Sequence, residues 1–175
     1  MQTDLISGIS AMLAPDVIVP APGGVFLEGI EPVRHALGLD SLNAASRAEW
    51  FPVRGGISAD GLHGFTFGYM KVHRPDSTIT PYKYLAYWVR RPEGWRVQAF
   101  RRGGASHVVE DRMPPAMPPA MTPPVTDANR IAELRESLAE AERSFSRDAQ
   151  STGLGSAFAR YGNDDAVNMG APDGP

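Results

Sequence analysis

Three aromatic and β-branched runs between residues 60 and 102 constrain the fold of this chain more than any other feature. The runs read GFTFGYMKVH, YKYLAYWVRR and WRVQAFRR, and the turn signals RPDS and PEG separate them. Runs of this kind, bounded by Pro, Gly and Asp, are typical of β-strands joined by short turns. The stretch therefore predicts a three-stranded antiparallel meander.

Alternation along these runs leaves neither face of the predicted sheet polar. In the first run, Phe65, Phe67 and Tyr69 fall on one face, and Met70 and Val72 fall on the other. The second run carries aromatic side chains at both parities as well. A sheet with two apolar faces needs cover on both. We expect helices on one face and a partner sheet or subunit on the other.

Periodicity and turn residues predict the elements before the meander. Apolar residues at helical spacing indicate helices, and short apolar runs next to Gly or Pro indicate strands. We predict helices over 4–13 and 31–37, short strands over 17–19 and 25–27, and a longer strand over 47–59.

The chain changes character after residue 104. Six of its 16 Pro residues fall between 111 and 126, which is typical of a semi-rigid polyproline spacer. A helix is predicted over 127–150 and a shorter one over 156–161. The longer helix has a narrow apolar seam with charged residues on its other face. The seam consists of Ile131, Leu134, Leu138, Ala141 and Phe145.

An uncovered sheet face is unfavourable at about 25 cal/mol per Å² of apolar area left in water. We therefore expect the long helix to fold back over the meander, from its own chain or from a neighbouring chain. The two ends of the chain also resemble one another at an offset of 149 residues, with Leu5 matching Leu154 and Ile9 matching Phe158. This weak repeat predicts a window cut from a tandem array.

Composition narrows the function classes. The net charge of −3 gives no electrostatic signature of nucleic-acid binding. Without Cys there is neither a disulfide nor a thiolate metal site, and the four His lack the paired spacing of a zinc site. No run approaches the roughly 18 apolar residues of a membrane span, and no basic secretory leader precedes the first helix. We expect a cytoplasmic protein with no metal or cofactor.

Five arginines cluster near the end of the meander. A solvated strand end is the simpler interpretation of such a cluster, and an anion site is the alternative. The cluster consists of Arg90, Arg91, Arg96, Arg101 and Arg102.

Several segments together carry a resemblance to a known family. They are APDVIV before PAPGG, Phe26 with Gly29, Trp50, SADGLHGFTFGY, KYLAYW and EGWRV. With these segments the chain resembles the nuclear transport factor 2-like superfamily, in particular its SnoaL-like and DUF4440 ketosteroid-isomerase-like branch. The pattern covers residues 3–102, and residues 138–172 resemble the start of a second copy.

The resemblance implies an α+β fold in which a bent antiparallel sheet forms a cone around helices, as in a cystatin-like roll. The long helix would come from the C-terminal segment. It implies an NTF2-like domain over 1–104, a Pro-rich linker over 105–126, and the start of a second copy over 127–175. Homodimers through the outer sheet face are usual in such proteins, so a homodimer is expected.

The resemblance also implies an apolar pocket at the open end of the cone. We expect it to bind a small hydrophobic or aromatic molecule through Trp50, Phe67, Tyr69, Tyr84 and Trp88, although the opposite parity (Met70, Leu85, Tyr87) is an open alternative.

A ketosteroid-isomerase or polyketide-cyclase enzyme is the second hypothesis, and a structural dimerisation module is the third. The enzyme would need a base and an oxyanion donor, for which Asp16, Tyr69 and Tyr84 are the candidates. None of the three meander strands contains Asp or Glu, which weighs against proton abstraction.

Overall fold

The computed structural model describes residues 4–162 and Ala166, and it has an α+β fold. The described residues divide into two compact units, one ending at Thr122 and the other beginning at Pro123. The first unit contains six strands and two α-helices, and the second contains two α-helices. The domain boundaries predicted at 104/105 and 126/127 stay predictions.

The first unit follows the predicted order of helices and strands. One boundary differs: the first strand begins directly after the first helix, so Pro15 and Asp16 lie inside the strand instead of ending the helix. In chain order the elements are α1 (Leu5–Met12), β1 (Leu13–Ala21), β2 (Val25–Glu28), α2 (Ile30–Gly38), a 3-10 turn (Ser41–Ala45), β3 (Arg47–Ile57), β4 (His63–His73), β5 (Ile79–Arg91) and β6 (Gly94–Gly104).

The six strands form one open sheet in the order β2-β1-β6-β5-β4-β3. The predicted meander is β4, β5 and β6, which pair antiparallel. The expectation of a wholly antiparallel sheet needs a correction, because β1 pairs with β6 in parallel, with Leu13 opposite Val97. Parallel neighbours need a long crossover connection, and the elements between β1 and β6 supply it.

Irregularities in the pairing of β3 with β4 and of β5 with β6 bend the sheet. One residue of β3, Val53, has no partner between the pairs Pro52–Gly68 and Arg54–Phe67. A second shift lies between Tyr87 and Trp88 in the pairing of β5 with β6. Bulges increase the local twist and bend a strand, so the sheet curves toward one side.

The core lies on the face of the sheet that α1 and α2 cover, which we call the inner face. Leu5 and Ile9 of α1 pack with Val33 of α2 against Met70 and Val72 of β4, and all five are almost fully buried. Asp4 begins α1 by accepting a hydrogen bond from the Ser7 amide at 3.0 Å. The spacing of Leu5 and Ile9 thus places the short helix over the sheet, as its sequence predicts.

The opposite, outer face is also apolar, and a segment of the chain after β6 crosses it. Segment 105–122 begins beside β5, where the Ala105 amide donates to the Pro81 carbonyl at 3.2 Å. Glu110 then pairs with Lys71 of β4 at 3.0 Å. The Met113 amide donates to the Val53 carbonyl of β3 at 2.9 Å. The segment therefore passes over three strands in succession.

Segment 105–122 then runs along the edge of β3. The Ala116 amide donates to the Gly55 carbonyl at 2.9 Å, and the Ile57 amide donates to the Ala116 carbonyl at 3.3 Å. An edge strand exposes unpaired backbone groups, and these bonds satisfy some of them on β3. Up to Thr122, the Pro-rich stretch is thus bound to the first unit rather than free.

The second unit consists of α3 (Ala128–Thr152) and α4 (Leu154–Tyr161). Asp127 caps α3 by accepting a hydrogen bond from the Arg130 amide at 2.7 Å. The two helices meet where Phe145 contacts Phe158 and Tyr161, with ring centroids 5.1 and 5.7 Å apart. This contact uses the C-terminal end of the predicted apolar seam.

The rest of the seam is not buried. Leu134 and Leu138 are 45% and 66% exposed, and α3 has no buried residue. The expectation that the long helix folds back over the meander, from its own chain or from a neighbouring chain, stays a prediction. Ion pairs connect charged side chains on the other face: hydrogen bonds from Arg147 and Arg143 lower the pKa of Glu140 to about 2.

The predicted repeat relates α1 to α4, and their surroundings differ. Leu5 and Ile9 are buried, whereas Leu154 and Phe158, which match them, are exposed. Residues 163–165 and 167–175, which the repeat also covers, lie outside the described residues.

Replacing Gly68 with Ala should destabilise the first unit by about 1–3 kcal/mol, the usual effect of overpacking. A Cβ at this position would lie 2.9 Å from both the Pro52 Cα and the Val53 amide nitrogen. These backbone atoms form the bulge and cannot move without breaking the pairing. Urea denaturation should show the loss, whereas Gly103→Ala, with no atom within 4 Å of its added Cβ, should change little. Equal stability of the two variants would contradict the bulge account.

Candidate functional site

A cavity of about 230 Å³ lies on the inner face beside the end of α1. Its walls come from α1 and from β3 to β6, and they are almost wholly apolar. Thr66 and Pro52 complete a lining formed by Met12, Trp50, Tyr84, Ala86, Trp88 and Phe100.

A second cavity of about 320 Å³ adjoins the first and is more open. Ile57, Gly64 and Trp95 contribute to its walls, and it shares Thr66 and Trp88 with the first cavity. All three tryptophans of the chain therefore line one continuous stretch of the inner face. We call the two cavities together the tryptophan groove.

The pairing of the strands explains why β4 carries glycine at two positions beside the groove. Gly64 lies opposite Trp88, and Gly68 lies opposite Tyr84. Directly opposed residues of an antiparallel pair project to the same face. A Cβ at Gly64 would lie 2.8 Å from the Gly56 carbonyl oxygen, and one at Gly68 would lie 2.9 Å from the Pro52 Cα. The two glycines thus allow the β3 backbone to approach β4 closely beside the aromatic residues of β5.

Three polar groups come together in the groove: the Trp88 indole N–H, the Thr66 hydroxyl and the Tyr84 phenol. The Trp88 indole N–H donates to the Thr66 hydroxyl at 2.8 Å. Burial raises the pKa of the Tyr84 phenol, and a hydrogen bond with Thr66 opposes the rise. The Trp50 ring meets Tyr84 edge-on at 4.8 Å between centroids. Thr66 is therefore the polar centre of an aromatic cluster.

The Tyr84 phenol is the one ionisable side chain among the described residues that line the groove. Among the described residues that form its walls there is no Asp, Glu, His, Lys or Arg. Proton abstraction from carbon needs a positioned base, and the groove offers none. The arrangement is suited to holding an apolar molecule, with Thr66 and Tyr84 available for a hydrogen bond.

Asp16, a candidate base, lies elsewhere. Its carboxylate accepts two hydrogen bonds from Arg91, both at 3.1 Å, and its side chain is 63% exposed. Gln98 donates to its backbone carbonyl at 2.7 Å. The sequence position suggests local capping, whereas the structure shows an ion pair between β1 and the end of β5.

The five residues predicted to bind a ligand are divided between the two faces. Trp50, Tyr84 and Trp88 line the groove. Phe67 and Tyr69 pair with Leu85 and Lys83, so they lie on the outer face, each 4% exposed. They cannot line the same cavity as the other three. Tyr69, also a candidate oxyanion donor, is therefore far from the groove's polar centre.

Sequence reasoning did not identify Met12, Thr66, Trp95 and Phe100 as groove residues. The sequence gives some indication of Phe100 and Trp95, because aromatic residues of the third meander strand must lie on one face of the sheet or the other. Thr66 shares its parity with Met70 and Val72, which the structure places on the inner face. Met12 gives no sequence signal, since its position depends on how α1 crosses the sheet.

The described residues contain no group of three or more side chains able to hold a metal ion. None of the helices in the described part of the chain is both long and apolar enough to cross a membrane.

Comparisons with known proteins give matches among solved structures only. No family model matches the chain, and no curated protein does. Aln2 from a Streptomyces species is 17% identical, with a TM-score of 0.45 over 57% of this chain and 76% of Aln2. A protein with a cystatin-like fold from Caulobacter vibrioides is 13% identical, with a TM-score of 0.44 over 58% of this chain and 76% of that one.

A domain of unknown function with a cystatin-like fold from Nostoc punctiforme is 15% identical, with a TM-score of 0.44 over 82% of each chain. Similarity at this level carries no information about substrate or activity.

The free energy of unfolding should fall above about pH 10, because burial raises the pKa of Tyr84 and Tyr69 from the ordinary value of 10.0. In the unfolded chain these phenols ionise near that pH, while in the folded chain they keep their protons to higher pH. Deprotonation thus favours unfolding. The stabilisation that the two protonated phenols contribute is complete below pH 10. It is lost as the pH rises through their pKa values in the folded state.

Urea denaturation at about pH 9 and about pH 11 measures this fall. Tyr84→Phe should reduce the fall, and the double variant Tyr69→Phe/Tyr84→Phe should reduce it further. The same fall in all three proteins would show that neither phenol is buried as described.

Proposed function

We propose that the first unit binds a small apolar or aromatic molecule in the tryptophan groove. The observation that carries the proposal is a hollow, aromatic-lined surface on the sheet's inner face that contains a few hydrogen-bonding groups and no charged side chain. Ligand pockets are typically lined by apolar and aromatic side chains with a few polar groups. The groove has this composition.

The dimensions of the groove support a ligand of one or two fused rings. Its two cavities of about 230 and 320 Å³ adjoin at Thr66 and Trp88, and pockets for small molecules begin at about 300 Å³. Aromatic pairs prefer edge-to-face or offset contacts. A flat ring between Trp50 and Trp88 would make such contacts, and a hydroxyl on it would reach Thr66.

An isomerase or cyclase function has less support. The base candidate Asp16 is held by Arg91 in an exposed ion pair, and no carboxylate lines the groove in the described part of the chain. Binding without proton abstraction is therefore the function that the groove's chemistry favours.

Filling the groove should abolish binding of a probe such as 2-naphthol. Ala86 faces the cavity and is 1% exposed, so Ala86→Leu places three extra carbons where the ring would lie. Isothermal titration calorimetry should show binding to the unaltered protein and at least about a tenfold loss in this variant, equivalent to ~1.4 kcal/mol.

The matched control is Ala99→Leu, the same substitution in the same sheet. Ala99 pairs with Tyr87 on the outer face, so this variant should bind 2-naphthol like the unaltered protein. Circular dichroism establishes that both variants fold. Absence of 2-naphthol binding to the unaltered protein, or equal binding by Ala86→Leu and the control, would reject the groove as the site.

Self-association is a second candidate function, and the exposed seam of α3 favours it. Exposed apolar surface of this kind is uncommon unless a partner covers it, and a second copy of the chain carries an apolar groove. A homodimer through the outer sheet face also stays a proposal. This dimer has less support, because segment 105–122 crosses the outer face. Leu85 and Tyr87 are left exposed there.

Leu138→Glu should shift any self-associated form toward monomer, because it places a charge on the seam. Sedimentation velocity across a range of protein concentrations measures the distribution. Ala132→Glu, on the opposite exposed side of α3, is the control and should leave the distribution unchanged. A protein that is monomeric at all concentrations would exclude the seam as a self-association surface.

A further inference from the structure

A third cavity, of about 380 Å³, lies at the other end of the inner face. It is enclosed by α1, α2, the β1–β2 hairpin and the ends of β5 and β6. It shares Phe100 with the tryptophan groove and is otherwise separate from it. Its apolar walls include Val19, Leu27, Val33 and Leu37.

Arg102 is the one charged residue among the described residues that line this cavity. It comes from β6 and lies opposite Tyr84 in the pairing with β5. Its guanidinium carbon is 4.7 Å from the centre of the Tyr82 ring. Its Nη1 atom is buried and has no hydrogen-bond partner in the described part of the chain.

A buried donor without a partner is unfavourable, and a buried charge without one is more so. Burial lowers the pKa of Arg102, because desolvation disfavours the charged guanidinium. The nearby carboxylate of Asp40 pairs with Arg74 at 3.2 Å. Arg74 also donates to the Tyr82 hydroxyl at 3.2 Å. The guanidiniums of Arg74 and Arg102 therefore both lie near the Asp40 carboxylate, and Arg74 forms the ion pair with it.

We propose that this cavity binds an organic carboxylate with an apolar body, its carboxylate paired with Arg102 and its body against the α2 and hairpin side chains. The guanidinium's planar fork matches a carboxylate. The surroundings favour a monoanion, because phosphate carries up to two charges and the cavity walls supply no second cation in the described part of the chain. A fatty acid of medium length has the required shape.

This site goes beyond the proposed function of the tryptophan groove, since it takes a charged ligand in a different cavity. It also corrects the interpretation of the arginine cluster as a solvated strand end. That interpretation fits Arg101, which is exposed, whereas Arg102 is partly buried.

The test compares octanoate with 1-octanol, which has the same chain and no charge, by isothermal titration calorimetry on the full chain. Octanoate should bind at least about tenfold more tightly, because hydrogen bonds to a charged group are the stronger kind. Equal affinity of the two compounds would overturn the proposal. This test does not use 2-naphthol. The proposal for this cavity and the proposal for the tryptophan groove can therefore be rejected independently.

Two variants test whether Arg102 provides the positive charge that binds octanoate. Arg102→Met keeps much of the length of the side chain and removes its charge, and it should weaken octanoate binding about tenfold or more. Arg101→Met is the control and should bind octanoate like the unaltered protein. Thermal unfolding without ligand should show Arg102→Met at least as stable as the unaltered protein, since a buried unpaired charge is lost.

Arg102→Gln provides a second variant if the methionine protein does not fold. It retains a polar group without the charge, and it should also lose octanoate selectivity over 1-octanol. Octanoate binding that is equal in the Arg102 variants and in Arg101→Met would overturn the assignment.

Discussion

The packing of α1 and α2 onto one end of the sheet's inner face is the interaction on which the other features depend. Leu5, Ile9 and Val33 bury the rings and methyls of β4 and β5 at that end. The two helices are eight and nine residues long, which is too short to cover the whole face at about 1.5 Å per residue. The rest of the inner face, with all three tryptophans, is left as a groove.

Two glycines of β4 allow β3 to pack closely beside that groove. Gly64 and Gly68 lie opposite Trp88 and Tyr84, and both accept the close approach of the β3 backbone. On the outer face the same strand presents Phe67 and Tyr69, which are buried. One strand thus forms a hollow on one side and a packed surface on the other.

The sequence predicts the elements well because alternation and turn residues are local signals. It predicts the meander, the order of elements and the apolar character of both sheet faces. The sequence does not show which side chains of one strand share a face with which side chains of the next. That depends on the pairing register, which the bulge at Val53 and the turn geometry determine. For this reason the sequence alone groups Phe67 and Tyr69 with Trp50, Tyr84 and Trp88, which lie on the other face. The docking of segment 105–122 depends largely on hydrogen bonds between backbone groups, which residue types do not reveal.

The central claim is that the tryptophan groove holds a small apolar molecule, and the indole N–H signals of the protein test it most directly. Two-dimensional ¹H–¹⁵N NMR gives one signal for each of the three tryptophans. On saturation with 2-naphthol, the signals of Trp50 and Trp88 should both move, with Trp88 moving most because its N–H bonds to Thr66. Binding that leaves the Trp50 and Trp88 signals in place would contradict the account.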